Sequence, residues 1–310
     1  MRRCVLVAAV GLIAAGCGGG TGPGERAGGL QVFPASFELV AGEPGRFLVG
    51  LTTPENRFVG GGSVDLAFSF LGEDRAGAAE PAGRATGMFL PIPGQEDRPI
   101  PDVPTAAAAD GARGVYAAET TFDRPGFYEV EVSADLEGTP SSGNGAFDVV
   151  AEPKVPSPGE RAPLTENHVL DEPGVPEESI DSRAATGGIP DPELHDTTIA
   201  EAIRSGRPVL VVFATPVYCV SRFCGPVTDM VAELAAEYGD RAEFIHVEIW
   251  ADFQEGALNE AAADWLLRDG DLEEPWVFLI GADGRIAARW DNVATRAEIE
   301  PFLVDLPPGR

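Results

Sequence analysis

The chain has 310 residues, of which 50 are acidic and 22 basic, for a formal charge of −28. That balance argues against nucleic acid as a partner and against electrostatic attraction to anionic lipid head groups. The length gives room for two ordinary domains, and with only four cysteines the hydrophobic cores, not disulfides, must stabilise them.

The first predicted element is a leader. Met1-Arg2-Arg3 precedes an apolar stretch from Val5 to Ala15 and then Gly16-Cys17. A positive start followed by an apolar run too short for a stable membrane helix reads as a secretory signal over residues 1–16. Ala14-Ala15-Gly16-Cys17 resembles the lipobox of bacterial lipoproteins. The resemblance implies cleavage before Cys17, lipidation of its sulfur, and loss of Cys4 with the leader; an ordinary secreted leader with an incidental cysteine is the alternative. Because two or more acyl chains hold a protein durably, the expectation is a chain lipid-anchored at the extracytoplasmic face of the bacterial cell membrane. Residues 17–29 are rich in glycine and read as a flexible tether.

Residues 30–151 alternate with period two between turn residues. Phe47, Val49 and Leu51 skip one position each time, as do Val64, Leu66, Phe68 and Phe70; Tyr128, Val130 and Val132 oppose Glu129 and Glu131. The economical expectation is an all-β antiparallel sandwich. The proline- and alanine-rich stretch from Gly83 to Asp110 reads as a long excursion between strands. Gly114-Val-Tyr-Ala-Ala, followed by Thr121-Phe-Asp-Arg-Pro-Gly-Phe-Tyr-Glu-Val-Glu-Val132, resembles the penultimate hairpin of immunoglobulin-like domains, which implies an immunoglobulin-like β-sandwich. No polar residues converge there in a way that suggests catalysis.

Residues 152–190 carry repeated prolines with many acids and few large apolar residues, and read as a semi-stiff linker, with packing of its C-terminal part on the next domain as the alternative that its length leaves open. Beyond it, over 191–310, helices and strands alternate. Thr198-Ile-Ala-Glu201 predicts a capped helix, Val209 to Phe213 a strand, and Val227, Met230, Val231, Leu234 and Tyr238 one buried helical stripe. A strand over Glu243–Ile249 comes next, then a helix around Leu258–Leu267 and a hairpin of Trp276–Ile280 with Arg285–Trp290. A last helix opens at Thr295-Arg-Ala-Glu298 with Ile299, Phe302 and Leu303 inward. From Val209 onward the predicted order is β-α-β-α-β-β-α.

Over residues 195 to 306 this pattern resembles the thioredoxin superfamily. Pro208-Val-Leu-Val-Val-Phe213 is similar to its central strand, Cys219 through Cys224-Gly225-Pro226 lies where the family has its redox loop, and Glu237-Tyr238-Gly239 resembles the end of the active-site helix. Glu274-Pro275 before Trp276-Val-Phe matches the cis-proline that enters a strand. The resemblance implies an α/β fold, thiol–disulfide exchange on exported protein thiols or disulfides, and a substrate-pairing role for Pro275. This sequence departs from the family in three places. Four residues separate the cysteines instead of two, Val212 stands where a proton-transfer carboxylate would fall, and Tyr218 replaces the usual tryptophan. Two registers fit: Cys219 as attacking thiolate with Cys224 resolving, which accounts for helix length and cysteine number, or Cys224 as nucleophile with Val227 in its partner's place.

Exchange needs a thiolate, which a helix N-terminus and a nearby cation such as Arg222 favour. Pro226 suits the first helical turn because its missing N–H costs nothing there. The same two cysteines could be a structural disulfide in an oxidising compartment, making the chain a non-enzymatic surface lipoprotein with a binding scaffold. Thioredoxin-like copper chaperones, which use two cysteines and a histidine, supply a third class. His246, on a strand, reads as a packed histidine before it reads as a ligand; His168 and His195 lie in or beside the linker. No organic cofactor is implied, since no glycine-rich phosphate loop follows a strand and Gly18-Gly19-Gly20 lies in the tether.

Overall fold

The computed structural model describes residues 29–307 apart from 76, 109 and 222. The leader, the Cys17 lipidation site, nearly all of the tether, and Arg222 lie outside the described residues. No helix among the described residues is long and apolar enough to cross a membrane.

The N-terminal half contains β1 (Gln31–Pro34), β2 (Pro44–Thr52), β3 (Val59–Gly60), β4 (Ser63–Gly72), β5 (Glu80–Pro91), β6 (Thr105–Ala106), β7 (Gly114–Thr121), β8 (Gly126–Leu136) and β9 (Thr139–Val149). Seven of them form a single antiparallel sheet in the order β1-β2-β7-β5-β4-β8-β9, and β3 pairs separately with β6. The expected sandwich is therefore corrected. The two ends of the sheet approach each other, with Leu30 N–H donating to Ser142 O at 3.3 Å, and Val40 bridging Val150. The result is a nearly closed barrel. Period-two alternation says that one face of a strand is buried; it does not say whether the facing layer is a second sheet or the same sheet rolled up. Here Phe47, Phe68, Phe122 and Phe147 meet in the middle with ring centroids 4.9 to 6.1 Å apart, and one sheet coils around them.

Glycine on β9 makes the closure possible. A Cβ at Gly143 would come within 2.2 Å of the Leu30 carbonyl oxygen, so a side chain there forces the two edges apart. Gly143→Val should destabilise the chain by about 1–3 kcal/mol, the usual cost of overpacking, read from urea denaturation. An unchanged midpoint would mean that the edge contact contributes nothing. The expected excursion over Gly83–Asp110 is in its first part strand β5, bulged beside Gly83 (φ +130°). Its glycines and prolines hide a strand that lies between β4 and β7.

The C-terminal half is mixed α/β. It comprises α1 (Ile199–Ser205), β10 (Val209–Ala214), α2 (Cys224–Tyr238), β11 (Glu243–Glu248), the small pair β12 (Trp250–Asp252) and β13 (Ala257–Leu258), α3 (Glu260–Leu266), β14 (Trp276–Ile280), β15 (Ile286–Asp291) and α4 (Arg296–Val304). The four-stranded sheet runs β11-β10-β14-β15, with β10 parallel to β11 and antiparallel to β14. Strand β10 is apolar at every position because both of its faces are covered. Val209, Val211 and Phe213 join the core that contains Ile199, Trp265 and Phe278; Leu210, Val212 and Ala214 join the one that contains Val227, Leu234 and Leu303. In α4, Ile299 and Leu303 are buried, but Phe302 is 44% exposed and touches Trp290 edge-on. Thr295 and Glu298 form a reciprocal capping box at its start.

The proline-rich segment packs on this α/β unit. Gly159 N–H donates to Ile286 O and Ile286 N–H to Glu160 O, at 2.8 and 2.9 Å. Farther along, Asn167 Oδ1 accepts from Ile199 N–H at 2.7 Å, and Trp265 Nε1 donates to Thr165 Oγ1 at 3.0 Å. Its short 3-10 turns at Glu177–Ser179, Ser182–Thr186 and Pro192–His195 bring Asp181 and His195 into the interior. The barrel docks through the outward-facing side of β2. Arg46 Nε donates to Glu298 Oε1 at 2.6 Å and Arg46 Nη1 to Asp291 O at 3.0 Å, while Leu48 and Val115 pack against Val293 and Phe223.

Candidate redox site

The loop between β10 and α2 returns Cys219 to the start of the helix. Its N–H donates to Thr215 O at 3.1 Å, and its sulfur is bonded to that of Cys224, with the Cα atoms 6.1 Å apart. That separation lies within the usual range for a disulfide. Cys224 is the first residue of α2 and is wholly buried, whereas Cys219 is partly exposed, with Sγ 3.2 Å from Ser221 Oγ. Cys219 is therefore the residue of the pair that an incoming molecule reaches first. Among the described residues no side chain caps this end of α2, so the unpaired N–H groups of its first turn and the helix dipole favour negative charge at Cys224.

Glu274 closes the site from the other side. Its Oε2 accepts from Thr215 N–H at 2.9 Å and lies 3.4 Å from Cys224 Sγ. The next peptide bond, Glu274–Pro275, is cis, and Pro275 O accepts from Asn292 N–H at 2.9 Å at the start of β14. Burial pushes the Glu274 carboxyl up from 4.5 to about 7; the Thr215 N–H and His246 oppose the shift, and Glu248 adds to it. A carboxyl that ionises near neutrality beside a sulfur is suited to moving the proton of a thiol. Searching for such a group at Val212 misses it, because Val212 points into the core under α2. The available signal was a glutamate directly before the strand-entry proline.

Around Cys219 the surface is apolar. Val220 is 96% exposed and Val217 is half exposed, and Tyr218 stacks on Phe253 with ring centroids 4.0 Å apart. Phe223, the residue before α2, is anchored against the barrel through Leu48 and Val115, which ties the loop to both halves of the molecule.

No family of known proteins matches this chain, and no curated protein matches it. The site must therefore be judged on its chemistry.

The structure thus brings together Cys219, Cys224 and the segment holding Pro275, and adds Glu274. His246 Nε2 donates to Ala214 O at 3.0 Å, and its Nδ1 faces Asp181 beside His195. His168 lies apart and pairs with Glu172 at 2.9 Å.

Proposed function

We propose that this chain is an exported, lipid-anchored thiol–disulfide oxidoreductase whose thioredoxin-like unit acts on protein thiols and disulfides. The observation that carries the proposal is the juxtaposition of an accessible sulfur on Cys219, a buried partner sulfur on Cys224, and the Glu274 carboxyl 3.4 Å from the latter. The exposed Val217 and Val220 favour a partly unfolded or flexible protein substrate, because apolar side chains beside the reacting sulfur gain from burial when a peptide covers them. Access favours the register in which Cys219 attacks.

In the reducing direction the Cys219 thiolate attacks one sulfur of a substrate disulfide. A mixed disulfide forms, and the other substrate sulfur leaves as a thiolate and takes a proton from solvent. Glu274 then accepts the Cys224 proton, and the Cys224 thiolate attacks Cys219 Sγ. The Cys219–Cys224 bond forms, the second substrate thiolate leaves, and Glu274 returns the proton to it directly or through solvent. The substrate has gained two electrons from the cysteine pair and two protons, one from Cys224 by way of Glu274 and one from solvent, which replaces the proton that Cys219 released on ionising. The same steps reversed oxidise a substrate dithiol.

Thiol trapping across a redox-buffer series, paired with dithiothreitol-driven insulin reduction, tests this reading. The expected potential lies between about −270 and about −120 mV, the span of proteins that exchange disulfides, and Cys219→Ser should abolish turnover. A potential below about −300 mV without turnover would instead mark a structural staple in a binding scaffold.

A further inference from the structure

Away from the sulfurs, three side chains converge where the proline-rich segment meets the sheet. Asp181 precedes the Ser182–Thr186 turn, His195 ends the Pro192–His195 turn, and His246 sits in the middle of β11. Asp181 and His195 are 0% exposed and His246 is 1% exposed. Asp181 Oδ2 is 3.5 Å from His195 Nε2 and 3.5 Å from His246 Nδ1, and one ligand atom from each residue falls within a 4.8 Å group.

Arg183 satisfies the Asp181 carboxylate, but the two imidazoles that face it are left without hydrogen bonds on that side. His246 Nε2 faces the Ala214 carbonyl at 3.0 Å, and a carbonyl only accepts, so that nitrogen carries the proton. In the neutral ring Nδ1 is then a bare lone pair aimed at a carboxylate oxygen. Among the described residues neither ring nitrogen of His195 has a hydrogen-bond partner, and neither does His246 Nδ1. In a dry interior, two ring nitrogens that face one carboxylate oxygen at 3.5 Å without a hydrogen bond call for a proton or a metal cation between them.

We propose that Asp181, His195 and His246 form a buried site for a divalent transition-metal ion, zinc fitting the donor set best. A tetrahedral zinc with bonds of about 2.0–2.1 Å places its ligand atoms about 3.3 Å apart. The two 3.5 Å separations need only a slight contraction to reach this, and the two histidine nitrogens, within 4.8 Å of each other, can close on the same ion. The outer contacts are those that hold metal ligands in place: His246 donates its far N–H to a backbone carbonyl, and Asp181 Oδ1 accepts from Arg183 N–H and Nε at 2.9 and 3.0 Å. Arg183 also donates to Oδ2 at 2.7 Å, but it is shared with Asp191 and Asp229 at 2.7 and 3.0 Å. Its single charge therefore faces three carboxylates, and the surroundings tolerate a divalent ion. Complete burial makes this a structural clip that pins the proline-rich segment to β11, loaded as the chain folds.

The site uses neither sulfur and is tested on the oxidised full-length chain, in which the bonded sulfurs offer no thiolate. The protein is unfolded with chelator and refolded with Zn²⁺ or Co²⁺, and the bound metal is counted by mass spectrometry after dialysis. About one equivalent is expected. The Co²⁺ form should show an absorption spectrum of nitrogen and oxygen ligands without a thiolate charge-transfer band. Asp181→Asn and His246→Gln should lower occupancy at least about tenfold, and Cys219→Ser/Cys224→Ser should leave it unchanged. Refolded wild-type protein that holds less than about 0.1 equivalent overturns the site, and so does a thiolate band. Should a site variant fail to fold, the wild-type stoichiometry and cobalt spectrum still decide.

Discussion

Glu274→Gln is expected to slow insulin reduction at pH 7 by about 10²-fold, the lower end of what a positioned acid–base group supplies, while the disulfide still forms. The amide keeps the shape of the carboxyl and its contact with the Thr215 N–H, but it cannot take the Cys224 proton. Resolution of the mixed disulfide should become rate-limiting, so the adduct on Cys219 accumulates and is visible by mass spectrometry. In the wild type the rate should rise through an inflection near the Glu274 pKa of about 7. The variant should lack that inflection and approach the wild type only at higher pH, where the thiol ionises unaided. Stability gives a second readout of the same group. In the oxidised chain the folded carboxyl titrates at about 7 against 4.5 ordinarily. Between those values the folded state holds a proton that the unfolded state has released. Stability is therefore greatest below the interval and falls as pH rises through it. Glu274→Gln should flatten that decline. A variant with wild-type turnover and an unchanged pH–stability curve would remove Glu274 from the chemistry.

How far the molecule is legible from its sequence depends on the range of the interaction that matters. Strand β10 and the buried stripe of α2 follow from apolar periodicity alone, because each element's neighbours cover the faces that the pattern marks. Val227, Val231 and Leu234 are fully buried. The barrel was not legible, since alternation in β4 and β8 is the same whether the sheet is stacked or rolled. Leu48 held a clue that the pattern could not interpret. It breaks the alternation of Phe47, Val49 and Leu51 because the outer face of β2 is also covered, by Val293 and Phe223 of the other half. The cysteine loop was found from residue type and spacing, but its carboxylate was not, because Glu274 reaches Cys224 only through the fold. His195 fared similarly. Its proline-rich surroundings read as linker, and of the residues that face it Asp181 belongs to that same segment while His246 lies on β11.

The joint between barrel and α/β unit should be where a single substitution costs most. Arg46 and Asp291 pair at 3.2 Å with side chains 11% and 7% exposed, and Arg46 also reaches Glu298 Oε1 and the Val293 carbonyl. Arg46→Met leaves the Asp291 carboxylate buried without its cation, although Phe37 N–H still donates to it. Breaking a pair this dry typically costs about 3–5 kcal/mol, far more than the intact pair contributes over an apolar substitute. The double variant Arg46→Met/Asp291→Asn should recover most of the loss, because the stranded charge goes with its partner. The sign of the pH dependence follows from the carboxyl. Burial raises the Asp291 pKa and Arg46 lowers it. Without Arg46 the folded-state value climbs further above that of the unfolded chain, so the deficit should be small in acid and grow as pH rises. Urea denaturation of the oxidised chain at pH 5 and pH 8, followed by tryptophan fluorescence of Trp276 and Trp290, separates these outcomes. A deficit that is equal at both pH values and not relieved by Asp291→Asn would assign the loss to the arginine's packing on β2. Because Val293 and Phe223 share this contact, the same variant should loosen the cysteine loop and raise the reduction potential of the Cys219–Cys224 pair, coupling the joint to the chemistry.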